Sequence, residues 1–205
     1  MSIVRLLRRH WLLATTIATF LIIISGIMFD SLQRTTAPIL PVVGKAYDFS
    51  LVNSNGQRVT LDDSAGKVRL VAFIYTRCTT ICPATTSEMV KLQKSMTNNG
   101  LIGNRVELIS ITIDPKFDTE AILRKYKEEF GASSTGWEFL TGTQPSIDQT
   151  LKKYGVYAMK ISKTQYVHTV AEFLIDERGN IRKVYGTNFL ESGVENDIET
   201  LARSE

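Results

Sequence analysis

The sequence predicts an α/β domain carried behind one membrane-spanning helix, and three observations predict it. Residues 11–29, WLLATTIATFLIIISGIMF, contain no charge. Two later runs, VRLVAFIY (68–75) and VELISITI (106–113), are apolar on both faces and rich in β-formers, as central strands are. Segments with helical spacing follow each of them, and the chain closes with a hairpin and a last helix.

The first run is long enough, at 1.5 Å rise per residue, to approach the thickness of a bilayer's hydrocarbon core. Trp11 sits at one end, where an amphipathic ring suits the interface, Arg5, Arg8 and Arg9 precede the run, and Asp30 follows it. This charge bias keeps the N-terminus in the cytoplasm and sends the rest across. A cleaved signal peptide is the competing reading, but the run is long for one and no clear small-x-small cleavage site follows. Both readings put the domain outside the cytoplasm. In a bacterium it then hangs from the inner membrane on the periplasmic side. The organisation read from sequence is a basic segment 1–10, an anchor 11–29, a linker 30–46 broken by Pro38 and Pro41, and one domain over 47–205.

The composition is ordinary for a globular domain, 43% hydrophobic and 22% charged, which excludes disordered and collagen-like classes. No dense basic patch with interleaved aromatics stands in the domain, so nucleic acid is not an expected partner.

The segment Tyr47–Leu51, Asn53–Gly56, Gln57–Leu61 reads as a hairpin, with Asn55-Gly56 as its turn and Phe49, Leu51, Val59 and Leu61 alternating with polar residues. Val68–Tyr75 is a central strand. Pro83 opens a helix with Met89, Leu92 and Met96 on one face, stopped by Asn98-Asn99-Gly100. Val106–Ile113 is the second strong strand, and Asp118–Phe130 a helix capped by Asp118 or Thr119. Trp137–Leu140 reads as a short strand and Ser146–Tyr154 as a short helix ended by Gly155. Tyr166–Ala171 leads into the strand Glu172–Asp176, which turns at Glu177–Asn180 and returns through Ile181–Tyr185. Residues 191–203 form the last helix. This order is thioredoxin-like, with an N-terminal β-hairpin extension.

Chemistry concentrates in two cysteines, Cys78 and Cys82. Two are too few for a disulfide scaffold, and a loop this short gives a disulfide little to constrain. They lie between a strand and a helix start, where open α/β sheets bind ligands and where helix N–H groups favour a thiolate, here expected at Cys82. The Cys-x-x-x-Cys spacing lets both sulfurs face one ion or each other. It serves metal binding or disulfide exchange, whereas two buried small hydrophobes is the bland reading.

His168 is the domain's single histidine; His10 borders the anchor. Two thiolates and one imidazole make a soft set that suits Cu(I) and can hold Cu(II), whereas zinc calls for a fourth ligand. Disulfide enzymes of this fold carry a proline just before the late strand; here the last proline is Pro145, and His168 stands in that region. Met159 is a candidate thioether, while Met89 and Met96 belong to a core stripe.

Three blocks in order, FIYTRCTTICPATTSEM (73–89), ISITIDPKFDT (109–119) and VHTVAEFLIDERGNI (167–181), together with the anchor, resemble the Sco/SenC family of copper-binding assembly factors for cytochrome c oxidase. The resemblance implies that Cys78, Cys82 and His168 ligate one copper ion. It implies that copper, or thiol reduction, reaches the oxidase's copper-bearing subunit, with exchange toward other copper carriers or thiol reductants. It also marks Asp114 as a group organising the loop beside the metal; a simpler role is ending a strand. Thr79-Thr80-Ile81 between the cysteines and Val167 before the histidine depart from the family's usual residues. A membrane-anchored thiol–disulfide oxidoreductase acting on the oxidase's copper-ligand cysteines is the alternative. A peroxide-reducing enzyme using Cys78 beside Arg77 is a third reading.

Overall fold

The computed structural model describes Trp11, residues 15–28 and residues 40–203, in two units. In the first unit, residues 15–28 are helical and expose Phe20, Ile22, Ile27 and Met28. Among the described residues no helix is long and apolar enough to cross a membrane. The expected anchor includes residues 12–14 and 29, and the expected linker residues 30–39; these lie outside the described residues.

The second unit starts at Leu40. Its strands are β1 (Gly44–Lys45), β2 (Ser50–Asn53), β3 (Arg58–Thr60), β4 (Val68–Ile74), β5 (Val106–Thr112), β6 (Trp137–Thr141), β7 (Ala158–Lys160), β8 (Tyr166–His168), β9 (Glu172–Ile175) and β10 (Asn180–Tyr185). Its helices are α1 (Ile81–Asn98), α2 (Glu120–Glu129), α3 (Gln144–Tyr154) and α4 (Val194–Arg203), with a 3-10 turn at Leu61–Ser64. Eight strands form one sheet in the order β1-β10-β9-β4-β5-β6-β2-β3, and β7 and β8 form a separate two-stranded ribbon.

Every residue of β4 is buried, as its two-sided apolar sequence requires. It pairs parallel with β5 and antiparallel with β9. Two successive parallel crossovers, β4-α1-β5 and β5-α2-β6, put α1 and α2 on one face, where Thr86 of α1 bonds Tyr126 of α2. Helix α4 joins α1 there, the Ser95 hydroxyl donating to Glu195. The return from β6 runs over the other face, so Tyr154 of α3 packs edge-on against Phe73 and Phe173. Met89, Leu92 and Met96 are fully buried under α1, as their spacing predicts. Each such side chain contributes about 1.5–3 kcal/mol through burial.

Two readings change, and of the two caps read for α2 one is selected. Residues 40–46 belong to the domain rather than to a linker: Gly44–Lys45 pairs with β10, and Arg182 bonds the Leu40 carbonyl. Helix α2 is capped by Thr119, whose hydroxyl accepts the Ile122 N–H, while Asp118 is fully buried and serves elsewhere. The lead-in to β9 is not one extended run, because Tyr166–His168 leaves the main sheet to pair with Ala158–Lys160.

Glu172, on β9 between Ala72 and Tyr185, is buried, and its Oε2 has no hydrogen-bond partner among the described residues. Burial, reinforced by the charge of Glu88, pushes its carboxyl up to about 8. The folded state therefore holds a proton that the unfolded chain releases near the ordinary 4.5. The stability that this group contributes is fully present below about 4.5 and is lost as pH rises from there through about 8, by on the order of a few kcal/mol. Urea midpoints at pH 5 and pH 8 measure this loss, and Glu172→Gln removes most of it.

Candidate metal centre

Three chain ends meet at one edge of the sheet. Strands β4 and β5 are parallel and in register, Ile74 opposite Thr112, so the loops that follow them leave side by side. Strand β9 is antiparallel to β4 and starts at this same edge, with Glu172 opposite Ala72. The cysteine loop, the turn after β5 and the approach from His168 are thus neighbours because of strand register.

The cysteine loop folds tightly after β4, with the Cys78 N–H on the Tyr75 carbonyl at 3.2 Å. Helix α1 starts at Ile81, two residues before the expected Pro83, and its N-cap Thr80 makes no side-chain cap bond. The Cys78 sulfur fills that place: the Cys82 N–H donates to Cys78 Sγ at 3.4 Å. Burial works against a Cys78 thiolate, but the amides of Cys82 and Thr80 and the Thr80 hydroxyl outweigh it and lower the pKa. Cys82 is the opposite case. It is buried beneath the loop, and desolvation, with the nearby Cys78 charge, pushes its thiol strongly up. The sequence expectation that the helix start favours a thiolate holds for Cys78, not for Cys82, because the helix begins earlier than Pro83.

His168 ends β8, half-buried, with Nδ1 2.9 Å from the Thr169 carbonyl. A carbonyl only accepts, so Nδ1 carries the proton and Nε2 keeps its lone pair. That lone pair points at Cys82 Sγ, 3.8 Å away. Burial lowers the imidazole's pKa, which keeps it neutral and able to ligate. The Tyr75 ring meets the imidazole edge-on, with centroids 5.8 Å apart.

Two aspartates from the turn after β5 tie these parts together. Asp118 accepts from the Thr76 N–H at 3.1 Å and from the hydroxyls of Thr76 and Thr112. Asp114, also fully buried, pairs with Arg77, whose guanidinium lies 4.1 Å over the Phe117 ring. Asp114 also accepts the Tyr166 hydroxyl at 2.9 Å and lies 3.9 Å from Lys160 Nζ. Burial and the Asp114 carboxylate push the Tyr166 phenol up to about 12, which keeps it a donor. Tyr75, Tyr166, Lys160, Thr76 and Asp118 are thus parts of the site that the sequence reading missed. A signal existed for Tyr166, since residues i and i+2 of a strand share a face and it lies two before His168.

The donor chemistry, two sulfurs and one imidazole nitrogen, fits a soft ion. Cys82 and His168 are in contact, and Cys78 is joined through the Cys82 amide. As the side chains stand, no group of three or more His, Cys, Asp or Glu among the described residues is gathered to hold a metal ion. Both cysteines are free thiols. Met159 is exposed on the ribbon, and its sulfur accepts the Tyr157 hydroxyl at 3.1 Å. On the thiol asymmetry, brief iodoacetamide treatment of the folded, reduced chain near pH 7 modifies Cys78 about tenfold or more faster than Cys82. Peptide mass mapping reads the ratio, and equal rates would contradict the assignment of the thiolate.

Comparison with known proteins gives a consistent result. Residues 43–203 match the family model described as SCO1/SenC. The chain is 33% identical over 151 residues to the SCO1 protein homolog of Bacillus subtilis, covering 72% of this chain and 74% of that one. The crystal structure of Arabidopsis thaliana ScoI with copper bound is similar at TM-score 0.66 and 29% identity, over 76% of this chain and 98% of that one. BsSco, described with a disulfide switch and as a member of the Sco family of cytochrome c oxidase assembly proteins, is similar at TM-score 0.70 and 27% identity, over 82% and 100%. With the model match spanning most of its length, this chain belongs to the SCO1/SenC family.

Proposed function

We propose that this chain is a membrane-anchored copper carrier that holds one copper ion through Cys78, Cys82 and His168 and supplies it to the copper-bearing subunit of cytochrome c oxidase. The observation that carries the reading is the Nε2 lone pair of His168 aimed at Cys82 Sγ, beside a Cys78 sulfur whose pKa is lowered by the amides and hydroxyl around it. The pieces have different tasks. Cys78, the less buried of the two sulfurs and the one whose pKa is lowered, is the first to meet an incoming cation. Cys82 gives up its proton on ligation, which the stabilising charge of the metal makes possible. His168 completes the set through Nε2, its ring fixed by Thr169. Closure on one ion requires the three side chains to draw together, which suits a cargo that is taken up and passed on by ligand exchange. Residues 11–29 act as the anchor, holding the domain on the periplasmic face of the inner membrane.

A second reading rests on the same asymmetry. A low-pKa thiolate beside a buried thiol is also the arrangement of a disulfide reductant. Cys78 attacks a partner's disulfide, one partner thiolate leaves, and Cys82, losing its proton, closes Cys78–Cys82 and releases the second; two electrons pass to the partner. A disulfide switch is described for the similar BsSco.

Titrating copper into the reduced chain, followed by absorption and electron paramagnetic resonance, is expected to give one ion per monomer. Cys78→Ala, Cys82→Ala and His168→Ala each lower affinity by about a hundredfold or more. Undiminished binding in Cys78→Ala would overturn the carrier reading. Reductase activity toward a peptide disulfide separates the two readings, because His168→Ala leaves that activity in place while copper binding is lost.

A further inference from the structure

The β7–β8 ribbon carries His168 yet is not part of the main sheet. Within itself it is held by the pairing of Ala158 with His168 and Lys160 with Tyr166, and by Tyr157 and Thr169, which bond each other's main chain and hydroxyl. Among the described residues few bonds reach outward from it. The Tyr75 hydroxyl meets the Tyr166 main chain at 3.4–3.5 Å, long for a hydrogen bond. The Tyr75 ring lies against Tyr166 and His168. Among the described residues two polar ties remain: His168 Nε2 meets Cys82 Sγ at 3.8 Å, and Asp114 accepts the Tyr166 hydroxyl at 2.9 Å and is met more distantly by Lys160. Asp114 also grips Arg77, the residue before Cys78. One buried carboxylate therefore links the element bearing the histidine to the loop bearing the cysteines.

We infer that the Tyr166 hydroxyl is the latch that keeps the His168 ribbon closed on the cysteine loop and so sets how quickly a bound ion is released. Tyr166 is a positioning residue here; it acts through Asp114 and through the backbone it shares with His168. The ring and the hydroxyl have separable tasks. The ring packs on Tyr75 and stays in a phenylalanine, whereas the hydroxyl alone reaches the carboxylate. A hydrogen bond to an ionised, buried acceptor is among the stronger kinds. Its loss falls on the ribbon, because Asp114 keeps Arg77, the main sheet is untouched, and the ribbon's own tie to the carboxylate is reduced to the longer Lys160 contact. A short ribbon with few buried apolar contacts opens locally at low cost, so a single bond can govern the fraction of time it is open.

This inference rests on the copper-carrier reading for its kinetic part only, and two measurements keep the two apart. In the metal-free full-length chain in detergent, Tyr166→Phe is expected to speed amide hydrogen exchange across residues 157–169 by about tenfold while the amides of β4 and α1 stay as protected as before. In the chain loaded with Cu(I), Tyr166→Phe keeps one ion per monomer but releases it to bathocuproine disulfonate about tenfold faster. His168→Ala serves as the reference for complete loss of the imidazole. Unchanged exchange in the ribbon would overturn the latch, as would faster exchange spread evenly over the domain, which marks a merely structural role. Unchanged release with a loosened ribbon would overturn the control of release. A wild-type chain that takes up no copper would overturn the carrier reading, and the exchange measurement would still decide the latch.

Discussion

The buried carboxylate of Asp114 is the constraint on which the site depends. It pairs with Arg77 on one side and accepts from Tyr166 on the other, so the cysteine loop and the histidine ribbon are referenced to one point. Removing a carboxylate from water is costly unless its oxygens are matched by donors. Here the donors come from two segments about ninety residues apart, so satisfying the charge also fixes the distance between them. Asp118 does the same for the front of the loop through Thr76. The two aspartates stand four residues apart in a turn whose Phe117 and Asp118 amides bond back to the Asp114 carbonyl. One compact turn thus holds the whole arrangement.

That turn is in place because of strand register. A one-residue slip between β4 and β5 would invert the faces of a strand buried on both sides and carry the loop away from its aspartates. The matched pairs from Val68–Val106 to Ile74–Thr112 prevent it. The apolar core and the polar site are therefore one problem: the side chains that bury β4 also deliver Cys78 to the helix end that lowers its pKa.

Much of this was legible in the sequence, and the parts that were not share a physical cause. The long apolar strands, the methionine stripe of α1 and the Asn55-Gly56 hairpin could be read because the signal is local and periodic. The ribbon could not. Ala158–Lys160 is three residues long, two of its three side chains are exposed, and its partner lies across an irregular loop, so neither length nor alternation marks it. Gly44–Lys45 is hidden for the same reason, being a strand only by virtue of β10. Of the site, the sequence named Cys78, Cys82, His168 and Asp114, and the fold brings them to one edge of the sheet. It mistook which sulfur profits from the helix, because that depends on whether the helix starts at Ile81 or Pro83. Asp118 looked like a cap, since capping and buried bridging draw on the same residue type at the same place.

The burial of Cys82 beside Cys78 has a consequence for damage as well as for binding. A thiolate that meets peroxide gives a sulfenic acid, and an isolated sulfenic acid proceeds to sulfinic and sulfonic acids that are not recovered. Here the second thiol is held under the loop, its amide on the first sulfur and its own S–H shielded from solvent. A sulfenic acid on Cys78 condenses with it, expelling water and leaving a disulfide that a reductant can reopen. The protein carries its own quencher, and an oxidative accident costs it one reduction rather than the molecule.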